Sequence, residues 1–272
     1  MIVGSWNIRG LCSPQKQRAI IRWTSKHCLD VFGILETKMT SVVSASRCIV
    51  TFKNLGFEHL MEEKTMGRIL IFWKAGLNTT ILDAFDQGIL CHVNNGIQKF
   101  FVGFIYGRNE AQERRLLWSK LRLWSSWCDD GCFTILGDFN EVLNCGDRSS
   151  SFTVPHTVAD FQSCMVDVKM QEINTLGPHF TWTNRSTQGN LIASKLDRCF
   201  VNTKWMDIFK DSFVTVEMPG VSDHCSLILH LQHKGSSRPK PFKFYNAWTQ
   251  HHMFLQIVEN CWKQHVDGSP MF

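Results

Sequence analysis

A chain of 272 residues, 44% apolar and 19% charged, is long enough to bury a substantial core and too apolar to stay disordered. No apolar run reaches the ~20 residues a membrane-spanning helix needs, and Met1-Ile2-Val3-Gly4-Ser5-Trp6 reads as a strand rather than a signal peptide. Most of the formal charge of +5 lies between His233 and Lys243, where Lys234, Arg238, Lys240 and Lys243 stand without an acid; this allows a polyanionic partner without demanding one.

In chain order, Ile2–Trp6 is the first expected strand. Ser13-Pro14 then opens a helix over Gln15–Cys28, with Ala19, Ile20 and Trp23 on one face. Val31–Leu35 is a short buried strand. Arg68–Trp73, Thr79–Leu82, Ile89–Val93 and Lys99–Tyr106 follow as strands separated by Gly or Asn turns. Ala111–Trp127 carries the clearest helical pattern, with Leu116, Leu117, Leu121 and Trp124 expected on the buried side. Cys132–Leu136 returns as a strand and Val158–Val168 as a helix. Phe180–Thr183, Leu196–Val201, Phe213–Glu217 and Cys225–Leu231 complete the strands. The pattern defines an α/β or α+β domain over residues 1–231. A basic Gly/Ser/Pro linker spans 232–246, and 247–272 is a helical connector with Phe254, Ile257, Val258, Cys261 and Trp262 along one side.

Eleven cysteines, an odd number, are scattered from Cys12 to Cys261 with no paired framework, which reads as reduced thiols of an intracellular protein. Cys128 and Cys132 are the closest pair, and no second pair stands at zinc-ligand spacing.

The chemistry gathers where apolar runs end. Asn7 and Arg9 lie in WNIRG, Glu36 follows FGIL, and Tyr106 closes FFVGFIY. Asp138 and Asn140 lie in GDFN, Asp197 in SKLDR, and Asp223 and His224 in SDHC. One acidic residue after a strand is usually a turn or cap. Several in one chain, with a His, suit a hard divalent ion and general acid–base work on a phosphodiester.

The ordered set resembles the endonuclease/exonuclease/phosphatase superfamily of apurinic endonucleases, pancreatic-type deoxyribonucleases and related phosphodiesterases. Its finer flavour, in WNIRGL, ETK, GPHFTWTN, SKLDR and PFKFYNAW, is similar to the amino-terminal endonuclease of plant long-interspersed-element (non-LTR) retrotransposons. The resemblance implies a four-layer sandwich of two mixed β-sheets flanked by helices. It implies that Glu36, with Asn7 and Asp223, holds Mg²⁺, with Mn²⁺ as the alternative ion. His224, Asp138, Asp197 and Tyr106 are the implied catalytic residues, and Asn140, Arg9, Thr181, Ser194 and Ser222 the implied substrate contacts. Thr181, Ser194 and Ser222 read equally as turn residues, and Trp182 as core or as a base-stacking ring.

Three positions depart from the family pattern. Arg9 replaces the acid of apurinic endonucleases, a change the retroelement branch shares. Met66-Gly67 stands where a Gly-Gly pair is usual, and Ser226 where Pro is common. The implied activity is Mg²⁺-dependent nicking of DNA that leaves a 3′-hydroxyl, by an intracellular, nuclear monomer without organic cofactor. A reverse transcriptase follows such domains in the retroelements; this chain stops where the connector toward it would begin and so resembles a truncated or detached element product, for which a reverse transcriptase encoded elsewhere is a partner the resemblance allows. The alternatives are a decayed or repurposed nucleic-acid-binding module and a phosphoesterase acting on something other than nucleic acid.

Overall fold

The structure is a computed structural model that describes residues 1–39, 49–60, 63–65, 67–150, 156–186, 189, 191–231 and 253–263. The first sheet runs, in spatial order, Thr175–Leu176 (β10), Phe213–Glu217 (β14), Ser226–His230 (β15), Ile2–Asn7 (β1), Val31–Leu35 (β2), Ile69–Lys74 (β4) and Phe57–Leu60 (β3). The second runs Asn78–Phe85 (β5), Gly88–Asn94 (β6), Lys99–Tyr106 (β7), Phe133–Asp138 (β8), Asp197–Asn202 (β13) and Met170–Glu172 (β9). Both are mixed: β1 pairs parallel with β2, and β7 with β8, among otherwise mainly antiparallel neighbours. A short ribbon, Trp182–Thr183 (β11) with Ala193–Ser194 (β12), stands apart from the two sheets.

Period-two alternation explains the layers. In β1 and β2, Val3, Val31 and Leu35 face a core shared with Val102, Phe104 and Leu136 of the second sheet. The intervening Trp6, Phe32 and Ile34 face outward onto Ile20 and Trp23 of the helix Pro14–His27 (α1). On the other side, Ile105, Phe133 and Ile135 pack under Leu117, Trp118, Leu121 and Trp124 of Ala111–Trp127 (α2), together with Phe161 and Cys164 of His156–Asp167 (α3). Helices therefore cover both sheets, giving the four layers expected. Each fully buried aromatic here contributes on the order of 1.5–3 kcal/mol of apolar burial. The sheets meet closely at Gly33, where an added Cβ would lie 2.4 Å from the Phe104 ring.

Several boundaries and faces differ from the expectations. α1 starts at Pro14 and ends at His27, because Cys28 turns left-handed (φ 52°) and caps the helix through its own amide. Leu116 is exposed, since a helix turns ~100° per residue and the buried stripe falls on Arg114, Leu117, Trp118, Leu121 and Trp124. β8 runs two residues beyond Leu136 to Asp138, and the strand expected over Phe180–Thr183 shrinks to β11. β3, β9, β10 and the short helix Thr203–Ile208 (α4) have no counterpart among the expected elements; they are too short to carry a period.

Backbone packing divides the chain into residues 1–234 and 235–272. The basic linker lies outside the described residues. In the second unit the described residues form the helix Phe254–Trp262 (α5), which exposes Leu255, Ile257 and Trp262. No helix among the described residues is long and apolar enough to cross a membrane.

Candidate active site

Strand register brings the marked residues to one edge of the sandwich. Asn7 ends β1 opposite Leu35, after which the chain turns at Glu36. Tyr106 pairs with Asp138 across β7 and β8, and Asp138 with Asp197 across β8 and β13. His224 bridges to Trp182 just before β15. At this edge lies a cleft of about 360 Å³, lined in part by Arg9, Glu36, Asp138, Asn140, Trp182 and His224. The backbone bends sharply here: Arg9, Glu36, Lys38 and Asn140 all hold φ between 47° and 55°, a region non-glycine residues seldom occupy. Gly137, at φ 141°, precedes Asp138 where a Cβ would meet the Ile105 carbonyl at 2.2 Å.

At the centre lies a buried chain of titratable groups. His224 Nδ1 is 2.9 Å from Asp197 Oδ2, and its Nε2 faces Asp138 Oδ2 at 3.8 Å. Asp138 also accepts from Asn7 Nδ2 at 2.8 Å and from the Asn140 amide at 2.9 Å. Burial raises the Asp138 pKa to about 6, with Asp197 adding to the rise and His224 opposing it. Burial alone would lower His224, but the carboxylates of Asp197, Asp138 and Asp223 outweigh it and lift the imidazole to about 9. At neutral pH His224 is therefore protonated against two carboxylates.

Beside this chain, Arg9 donates to Asp223, and its Nε lies 3.9 Å from Glu36 Oε2. Lys38 Nζ reaches Glu36 Oε1 at 3.1 Å, and Trp182 Nε1 donates to Asp223 Oδ2 at 3.0 Å. Burial works to raise Asp223, but Arg9, His224 and Trp182 hold it below the usual carboxylate range. Tyr106 is pushed well above an ordinary phenol by burial and by the adjacent Glu36 and Asp138.

Two groups of side chains present metal-ligand atoms. Asp138, Asp197 and His224 lie within 4.8 Å of one another, but their facing atoms are engaged with Asn7, Asn140 and each other, as suits proton handling. Glu36 and Asp223 offer hard oxygens, and the single cationic side chain of Arg9 reaches both, so this donor set fits a divalent ion better.

Thr181 and Ser222 do not face the cleft. The Thr181 hydroxyl accepts from the amides of Leu196 and Asp197 at 3.0 and 2.9 Å, and Ser222 Oγ donates to the Asn7 carbonyl at 2.6 Å. Both are buried, and their hydroxyls hold the backbone around Asp197 and His224. Ser194 differs: it lines the cleft, and its buried hydroxyl has no hydrogen-bond partner among the described residues.

Sequence reasoning passes over several contributors. Asn109, inside the IYGRN stretch, accepts from Asn140 Nδ2 at 2.7 Å. Arg114 reaches from α2 to the Arg108 and Asn109 carbonyls and pairs with Glu141 at 2.5 Å, both side chains buried. Glu141 follows GDFN directly, so a signal exists: an acid next to a motif and an arginine on the buried face of a helix. Trp182 as a hydrogen-bond donor to Asp223 has no signal in the sequence.

Two mixed sheets between helices thus carry a carboxylate–histidine cleft at one sandwich edge. The chain belongs to the endonuclease/exonuclease/phosphatase family, whose profile matches residues 4–224. It is thus a hydrolase of the nuclease and phosphoesterase class. Among curated proteins, no sequence matches it significantly.

Solved structures resemble it in fold. The endonuclease domain of TRAS1, a telomere-specific non-LTR retrotransposon, aligns with a TM-score of 0.64 at 12% identity, covering 86% of this chain and 99% of that one. The AP endonuclease of Leishmania major gives 0.66 at 18%, covering 85% and 87%. Beta toxin of Staphylococcus aureus gives 0.61 at 12%, covering 85% and 100%.

Proposed function

We propose that the chain is a Mg²⁺-dependent endonuclease that nicks DNA by attack of an activated water and leaves a 3′-hydroxyl, in the manner of a retrotransposon target-site endonuclease. The observation that carries the reading is a cleft lined by Glu36, Asp138 and His224, with Asp197 paired to His224 behind it and Asp223 joined to it through Arg9 and Trp182.

Glu36 and Asp223, with Asn7, are the residues that would hold the ion; Mn²⁺ would serve in its place. When bound, the ion supplies Lewis-acid polarisation of the phosphate and charge for the leaving 3′ oxygen. The protein's own groups do the rest. Asp138, with a pKa near 6, is ionised at neutral pH and is the group to take the proton from the attacking water. His224, kept protonated and oriented through Nδ1 by Asp197, stabilises negative charge as it gathers on the phosphate oxygens. Asn140, once its amide leaves the Gly107 carbonyl and Asn109, and Tyr106 would bind phosphate oxygens, with Ser194, whose buried hydroxyl has no partner among the described residues, and half-exposed Arg9 as further contacts.

In this reading, residues 1–231 are the catalytic domain, 232–246 a basic linker and 247–272 a connector. DNA is the partner, and the protein acts as a monomer in the nucleus. The similarity to TRAS1 and to AP endonucleases supports nucleic acid over other phosphodiesters. The test is the chemistry of the cut end. A polymerase should extend the nicked strand of a product duplex without prior end repair. Nicks that need phosphatase treatment before extension would rule out the proposed bond cleavage.

A further inference from the structure

The charges around Arg9 bear on the ion site itself. Glu36 and Asp223 carry two negative charges, and Arg9 and Lys38 already supply two positive ones. A guanidinium cannot shed its proton, so its charge is permanent at any working pH. Where the reading above seats a divalent cation, this chain has its own.

The Arg9 backbone is held firmly. Its amide donates to Asn7 Oδ1 at 3.0 Å, and Lys16 Nζ donates to the Ile8 and Arg9 carbonyls, both at 2.7 Å. The side chain is different. It is 48% exposed, and the carboxylates it pairs with are those of Asp223 and Glu36. A side chain on a fixed base, half in solvent and held by two carboxylates, can exchange with another cation without moving the fold.

Resting on the proposed metal reading, we infer that Arg9 is an internal competitor of the divalent ion for Glu36 and Asp223, and that it sets the ion affinity of the site. An incoming ion must displace the guanidinium or share the carboxylates with it, and either weakens binding. The displaced fork matches phosphate oxygens, so the freed side chain has a second use in the same cleft.

Mn²⁺ binding followed by electron paramagnetic resonance tests this without DNA and without turnover. Arg9→Met keeps the side-chain bulk and removes the charge. Arg9→Asn also removes it and tolerates the left-handed backbone at φ 47°. Both folded variants should bind Mn²⁺ at least about tenfold more tightly than the wild type, from loss of one unit charge within a few ångströms. Equal or weaker binding in both variants would overturn the competition. Glu36→Gln, made in the wild type and in Arg9→Met, separates the two ideas. Loss of Mn²⁺ binding in both backgrounds upholds the site on which the inference rests. Unchanged binding in both places the ion elsewhere and overturns the metal reading itself.

Discussion

Asp197→Asn in the metal-free protein should convert the His224 imidazole from a charged group to one that titrates near neutrality. Asp197 is 3% exposed, and its carboxylate, 2.9 Å from Nδ1, is the largest influence raising His224. The amide keeps the shape and a hydrogen bond but removes that charge. In the wild type the rise from 6.5 to about 9 corresponds to about 3 kcal/mol of folding stability. The sign follows from which state binds the proton: the folded protein holds it more tightly, so this stability is complete below pH 6.5 and fades as pH climbs through 9. Asp138 works in a lower window. Its raised carboxyl costs stability as pH rises from 3.8 to about 6, because there the folded state keeps a proton that the unfolded state has released. Nuclear magnetic resonance of the His224 ring should therefore report titration near 9 in the wild type and a fall toward 6.5 in Asp197→Asn. The neighbouring Asp138 leaves part of the rise in place. Urea denaturation at pH 6 and pH 9 should differ by up to ~3 kcal/mol in the wild type and by much less in the variant. A wild-type His224 that titrates at or below 6.5, or a variant that titrates like the wild type, would refute the electrostatic account.

Glu36→Ala, folded as judged by thermal melting, should lose Mg²⁺-dependent nicking of plasmid, because it removes one of the two carboxylates on which Arg9 converges; undiminished nicking would take Glu36 out of the mechanism. His224→Ala should slow cleavage by ~10²–10⁴-fold in single-turnover assays with DNA affinity nearly kept, and Asp197→Asn should cost less. The two together should cost much less than the product, since Asp197 acts through His224; multiplicative losses would refute that coupling. A chain ending at Leu231 should still cut. Without Lys234, Arg238, Lys240 and Lys243 its DNA affinity should depend less steeply on salt, by roughly one log-log unit for each phosphate those side chains neutralise. A folded but inactive truncation would contradict the domain boundary.

Much of the fold was legible because its strands are long enough to carry a period. Phe213–Glu217 and Ala111–Trp127 lie in the structure where the pattern set them. The cleft was legible for a related reason: polar residues that interrupt apolar runs, such as Glu36 after FGIL and Asp138 after FTILG, fall at strand ends, and those ends lie together at one sandwich edge. What stayed hidden depends on contacts between distant residues. Arg9 and Asp223 are 214 residues apart, and nothing local distinguishes an arginine that bridges carboxylates from one that awaits phosphate. Thr181 and Ser222 adjoin the motifs, as substrate contacts would, yet the structure spends their hydroxyls on backbone groups. Pieces of two or three residues, such as Met170–Glu172 and Ala193–Ser194, are defined by their partners and not by any pattern of their own.

The most direct test of the central claim is conversion of supercoiled plasmid to the open-circular form by the purified chain. Nicking in Mg²⁺ that disappears with EDTA, and is lost in folded Glu36→Ala and His224→Ala proteins, is the predicted result. Nicking that survives EDTA, or that persists in both variants, would contradict it.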